Sequence, residues 1–221
     1  MFIPLRDENP TRRVPIFTLL LIAVNVVVFA VQVFSPLSLP YYVLRMGTIP
    51  YEITHFTTVQ GLPVERISPV LALVVSMFLH GSLFHLLGNM LYLWIFGNNV
   101  EDFLGPVRFV LFYLVCGLSA AGTHIVFNPN STVPMIGASG AIAGILGAYF
   151  LLYPRARVDT LVFIWILPVP AAFILGLWFL GQILNIGLGG GVAWFAHIGG
   201  FLAGLVLVRV FAKRRFYRTA A

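Results

Sequence analysis

Apolar runs closed by proline, glycine or clustered charge dominate the chain, and their lengths decide which elements they predict. The first, residues 16–33, is entered through Pro15 and preceded by Arg6, Arg12 and Arg13. No small-x-small cleavage site follows it, so it reads as a retained first span and not as a signal peptide. Residues 37–79 break the pattern: prolines, Arg45, Glu52, Glu65, Arg66 and tyrosines interrupt short apolar patches, which predicts a long extramembrane loop, partly interfacial.

A second span is expected over Leu83–Leu104, closed by Gly105 and Pro106, and a third over 107–127. The fourth, Ser139–Leu152, ends at Pro154, Arg155 and Arg157. The apolar stretch 158–166 is too short to cross as a helix before Pro168 and Pro170, and reads as a re-entrant or interfacial connection. A fifth span over 171–188 leads through a hinge (Gly187, Gly189, Gly190, Gly191) to a sixth over 192–211, which stops at Lys213, Arg214 and Arg215. The expected fold class is an all-α membrane protein, a six-helix bundle with a long first loop. Residues 1–15 form a cytoplasmic segment, 16–211 the six-span domain, and 212–221 a basic cytoplasmic tail.

Composition agrees. Of 221 residues, 60% are apolar and 9% charged, with a mean hydropathy of +0.98. A soluble domain carries roughly 25% charged residues, so that class is excluded. The excess of 13 Lys and Arg over 7 Asp and Glu would suit a nucleic-acid binder, but the positive residues sit at the ends and between apolar runs. That is the placement of the positive-inside rule, and no nucleic-acid partner is expected. With the N-terminus in the cytoplasm, 11 of the 13 fall on that side, and only Arg45 and Arg66 lie outside. An even span count returns the C-terminus inside, as in a multi-pass protein of a bacterial-type inner membrane. The single cysteine, Cys116, excludes an internal disulfide and a cysteine metal cluster.

Polar groups inside a bilayer are costly and call for a purpose. His85 and Asn89, four residues apart, share one face of the second span. Ser139 starts the fourth span from the same side, and His197 lies near the start of the sixth. Three helices thus deliver four polar side chains to a similar depth. The fourth span covers only about 21 Å against a hydrocarbon core of about 30 Å, so Ser139 is expected below the outer surface. Non-helical backbone at 134–138 survives there only beside a cavity, which predicts a wet pocket. Small residues, Gly140, Ala143, Gly144 and Gly147 on one helix and Gly200 and Gly204 on the other, predict close packing of spans four and six. Such packing brings Ser139 to His197, as a base-activated nucleophile requires. No carboxylate lies in spans four to six, so the expected unit is a dyad. The Ser139 N–H with the side chains of His85 and Asn89 would hold an oxyanion.

His80-x4-His85-x3-Asn89, Gly137-Ala138-Ser139-Gly140, Ala196-His197 followed by Gly200 and Gly204, and Gly97-x3-Glu101-x3-Gly105 occur in that set. In these motifs the chain resembles the rhomboid family of intramembrane serine proteases. The resemblance implies a rhomboid-like protease domain over 16–211. It implies cleavage of membrane-anchored proteins in or beside their transmembrane segments, with Ser139 and His197 catalytic and His85 and Asn89 at the oxyanion. His80 and Gly137 are supporting candidates, His80 also reading as a structural loop hydrogen bonder. The implied partners are the lipid bilayer and single-span or other membrane proteins, without cofactor or metal. Two departures stand out: the Trp-Arg pair common in the family's first loop is missing before His80, and Ala143 occupies a position where some members set a Tyr against the catalytic His.

Other readings compete. Ser139, His85 and Asn89 taken singly are interhelical hydrogen bonders, and a catalytically silent binder of single-span clients would keep the packing glycines. A small transporter expects acidic partners and inverted repeats, which the chain lacks. A zinc protease is disfavoured because there is no His-Glu-x-x-His, and the five-residue spacing of His80 and His85 predicts that they face apart. His55 and His124 read as interfacial or packing residues.

Overall fold

The computed structural model describes residues 2–188 and 191–212. Gly189, Gly190 and residues 213–221, with the tail cations Lys213, Arg214, Arg215 and Arg218, lie outside the described residues. The chain runs β1 (Phe2–Asp7), α1 (Ile16–Phe34), α2 (Leu39–Met46), α3 (Pro50–His55) and α4 (Pro69–Val75). A single 3₁₀ turn (Ser76–Phe78) leads to α5 (Leu83–Leu104), α6 (Pro106–Phe127) and α7 (Ser139–Leu152). Strands β2 (Arg157–Val162) and β3 (Trp165–Pro170), then α8 (Ala171–Leu184) and α9 (Trp194–Phe211), complete it.

Three helices, α1, α6 and α9, are long and apolar enough to cross a membrane. The segment Pro69–Phe78 and α5 make a further pair, bent by 78°. At 14 residues each, α7 and α8 are shorter apolar helices. The helix bounds follow the expected runs closely; α8 ends at Leu184 instead of 188, and α9 starts at Trp194 instead of 192.

The all-α expectation is corrected by a three-stranded antiparallel sheet, ordered β1-β2-β3. Residues 158–166 were expected to be a re-entrant or interfacial connection. They belong to a hairpin whose β2 pairs with the N-terminal segment, Phe2 opposite Val162 and Asp7 opposite Val158. The alternation of this stretch explains it: Val158 and Thr160 point inward and are fully buried, while Asp159 on the other face pairs with Arg6 at 2.9 Å. Tyr149 of α7 donates to Asp7 Oδ2 at 2.7 Å and ties the sheet to the bundle. Burial pushes the Asp7 carboxyl above the ordinary Asp range, opposed by the Tyr149 hydrogen bond.

At the same end Glu101 closes α1. Pro15 supplies no side-chain cap, so the first N–H groups of α1 need an acceptor from elsewhere. The Glu101 carboxylate accepts from Phe17 N at 3.0 Å, Thr18 N at 2.7 Å and Thr18 Oγ1 at 2.7 Å. Its charge also complements the positive end of the helix dipole. Gly97 leaves the room that Thr18 fills.

Helix α7 is the axis of the bundle, packed by α5, α6, α8 and α9 and buried at every residue from Ala141 to Tyr149. Its glycines meet α9 backbone to backbone. A Cβ on Gly200 would strike the Gly140 carbonyl, one on Gly204 the Gly144 carbonyl, and one on Gly147 the Phe201 carbonyl. The segment between α1 and α5 is held by a buried ion pair, Arg66 Nε lying 2.8 Å from the Glu52 carboxylate. Arg66 also donates to the carbonyls of Leu44 and Gly47.

Gly204→Val should therefore cost about 1–3 kcal/mol or more by forcing α7 and α9 apart. Gly176→Ala, whose added methyl meets only Phe150 at 3.9 Å, should instead raise stability by about 0.4–1 kcal/mol, because alanine restrains the unfolded chain and favours the helix. Unfolding of both variants in detergent micelles checks the contrast.

Candidate active site

Ser139 is the first residue of α7, and the backbone before it is held from two directions. Thr48 and Met135 exchange both hydrogen bonds, Thr48 N to Met135 O at 2.9 Å and Met135 N to Thr48 O at 2.7 Å. Gly137 N donates to Ser76 O at 2.9 Å, and Thr48 Oγ1 lies 2.9 Å from Ser76 Oγ. Gly137 has φ +117, a region that disfavours side chains, and an added Cβ would stand 2.9 Å from the His85 ring and 3.7 Å from Ser139 Oγ. The glycine thus lets the His85 ring approach the serine.

Ser139 Oγ and His197 Nε2 are 2.8 Å apart, a hydrogen bond between α7 and α9. His197 Nδ1 lies 2.7 Å from Oε1 of Gln182 on α8. Gln182 carried no weight in the sequence; its signal was a lone amide in an apolar run. On α5, Asn89 Nδ2 is 2.9 Å from His80 Nε2. Both backbone groups of His80 are bound by one side chain of α1: its N–H donates to Gln32 Oε1 at 3.1 Å, and its carbonyl accepts from Gln32 Nε2 at 3.2 Å. This also passed unnoticed, although Thr18, Asn25 and Gln32 repeat every seven residues and mark the buried face of an otherwise apolar helix.

The His80 and His85 rings meet edge to face at 5.1 Å, against the expectation that they face apart. Helical spacing does not apply, because His80 lies before α5 starts. Ser82 caps that start, accepting from His85 N at 3.1 Å. Among the described residues, no cluster of three His, Cys, Asp or Glu side chains is arranged for a metal.

Ser139, His197, His85 and Asn89 line one cavity of 1020 Å³, with Trp178 and Tyr92 among its walls. That volume matches the upper range of ligand clefts, and here the walls are mostly apolar with few polar groups. His124 lines it too, whereas His55 stacks on Tyr51 at 4.1 Å away from it. No carboxylate is among the described lining residues. A hydroxyl, an imidazole and two further polar side chains therefore converge on a space that no described carboxylate, lysine or arginine lines, an arrangement suited to nucleophilic attack with oxyanion stabilisation.

A family profile for the Rhomboid domain matches residues 68–214. Rhomboid protein 1, mitochondrial, of Saccharomyces cerevisiae is 29% identical over 153 residues, 64% of this chain and 42% of that protein. Rhomboid protease GluP of Bacillus subtilis is 36% identical over 135 residues, 60% of this chain and 24% of that protein. RHOMBOID-like protein 2 of Arabidopsis thaliana is 36% identical over 146 residues, 66% of this chain and 43% of that protein. The matched region spans less than half the length of each of these relatives. The chain belongs to the rhomboid family of membrane proteins.

Gly137→Ala should destabilise the protein by about 1–3 kcal/mol, from backbone strain and from collision with the His85 ring. Thermal unfolding in detergent, beside Gly61→Ala where φ is also positive but no atom lies within 4 Å, separates the collision from the strain.

Proposed function

We propose that this protein is an intramembrane serine endopeptidase that cleaves membrane-anchored proteins through a dyad of Ser139 and His197. The observation that carries the reading is the 2.8 Å contact between Ser139 Oγ and His197 Nε2 at the wall of a large cavity. Membership of a family with a member named as a protease supports it.

In this reading His197 Nε2 takes the proton of Ser139 as Oγ attacks the scissile carbonyl carbon. The oxyanion forms near the Ser139 N–H at the start of α7, where the free amide and helix dipole favour negative charge. The side chains of His85 and Asn89 complete that site. His80 holds the Asn89 amide, which keeps a second N–H for the oxyanion. The protonated His197 then gives its proton to the leaving amine, and water resolves the acyl-enzyme.

The same reading counts α1, α5, α6, α7, α8 and α9 as six spans over 16–211. Helix α7 need not reach both surfaces, because its neighbours shield it from lipid. Both termini lie in the cytoplasm of a cell with a bacterial-type inner membrane, residues 1–15 forming the leading segment and 212–221 the tail. Substrate helices enter at the α8 edge, where Trp178 lines the cavity.

A fluorophosphonate probe should label the purified protein, and Ser139→Ala should abolish labelling while Ser119→Ala leaves it intact. Cleavage of a tagged single-span protein in liposomes should fall by at least about 10³-fold in Ser139→Ala. Retained cleavage by that variant would identify a silent binder carrying a contaminating protease.

A further inference from the structure

A neutral imidazole carries one proton, and the nitrogen that holds it decides whether the other can act as a base. At His197 that choice is made by α8. Gln182 Nε2 donates to the carbonyl of Trp178, one turn earlier, at 2.9 Å. A carbonyl only accepts, so the NH₂ of the amide faces Trp178 and its oxygen faces the other way. That oxygen lies 2.7 Å from His197 Nδ1. An amide oxygen also only accepts, so Nδ1 holds the hydrogen and donates it. Nε2 is left with its lone pair aimed at Ser139 Oγ, 2.8 Å away.

We infer that Gln182 is the positioning residue of the Ser139 and His197 pair, selecting the one His197 tautomer that can accept the serine proton and steadying the imidazolium that results. The inference rests on the protease reading of this site. Its surroundings leave the task to Gln182. Ala143 presents no ring from α7, and the flanking rings, Trp178 at 5.8 Å and Trp194 at 6.3 Å, offer no acceptor to Nδ1. His85 from α5 and His124 from α6 are the titratable side chains that face the cavity near it, with Tyr92, and no described carboxylate does. Gln182 is itself only 7% exposed, so solvent is a poor substitute acceptor.

The proton balance is complete. As the bond from Oγ to the carbonyl carbon forms, the hydroxyl proton moves to Nε2, while the Nδ1 proton stays in its bond to Gln182. When the carbon–nitrogen bond breaks, the Nε2 proton leaves with the amine. An amide dipole stabilises the intermediate cation without adding a formal charge to a space that has none. A carboxylate in its place would do so more strongly, and it would also hold the resting imidazole in its protonated form to a higher pH.

Gln182→Leu, Gln182→Glu and Ser139→Ala, each as the full chain in liposomes with a fluorogenic single-span substrate, test this. Gln182→Leu should lower kcat about 10- to 100-fold with KM within about twofold, the usual cost of losing a group that orients a functional side chain. Gln182→Glu should keep kcat within about threefold of the parent and move the acidic limb of kcat/KM to higher pH by about one unit or more. A Gln182→Glu limb coincident with the parent's would overturn the inference, and it decides alone if Gln182→Leu does not fold. If Ser139→Ala is inert while both Gln182 variants match the parent, the positioning role fails and the protease reading stands. If Ser139→Ala cleaves normally, the protease reading itself fails.

Discussion

Contact between the backbones of α7 and α9 governs the rest of this molecule. In lipid there is little hydrophobic gain from bringing two apolar helices together, so close packing and polar bonds must supply the attraction. Here glycines at 140, 144 and 147 lie against 200, 201 and 204 so tightly that no methyl fits at the closest points. Ser139 precedes the first of these contacts by one residue, and His197 precedes Gly200 by three. The 2.8 Å hydrogen bond between them is therefore set by helix packing, not by a flexible loop. A Cβ on Gly147, Gly200 or Gly204 would press directly on the facing backbone and push the two helices apart.

Buried polar side chains perform a second task, bonding backbone groups that the helices leave open. Glu101 caps α1, Gln32 satisfies both backbone groups of His80, and Arg66 with Glu52 holds carbonyls of the segment before α4. Each such bond contributes modestly when made, yet an orphaned partner in this environment costs several times more. The consequence reaches the cavity. Thr48 and Ser76 fix residues 135 and 137, which fix where α7 begins, and Gln32 fixes His80, which holds Asn89. Residues far from Ser139 in sequence thus govern what surrounds it.

The helices were legible because their signals are local. Apolar runs of helical length, closed by Gly105-Pro106 or Pro154, reproduce α5 and α7 to the residue, and small-residue stripes identified which helices touch. The sheet was not legible, since the partner of 157–162 lies some 150 residues away and neither strand is long or apolar enough to announce itself. The expectation of facing-apart histidines failed because spacing rules describe helices, and His80 stands outside one. Gln182 is a lone amide in an apolar run, and only the rotation of α8 in the packed bundle turns it toward His197.

The order of residues by itself settled periodicity, span-sized runs, and which positions lack side chains; from these follow the membrane setting and the pairing of the fourth apolar helix with the last. Direction was decided elsewhere. Which nitrogen of His197 faces the serine, which amide faces that ring, and which strand completes the N-terminal edge all depend on how elements distant in sequence rotate against one another. A hydrogen bond constrains atoms to a few tenths of an ångström, and only the packed bundle positions residues from separate helices that closely.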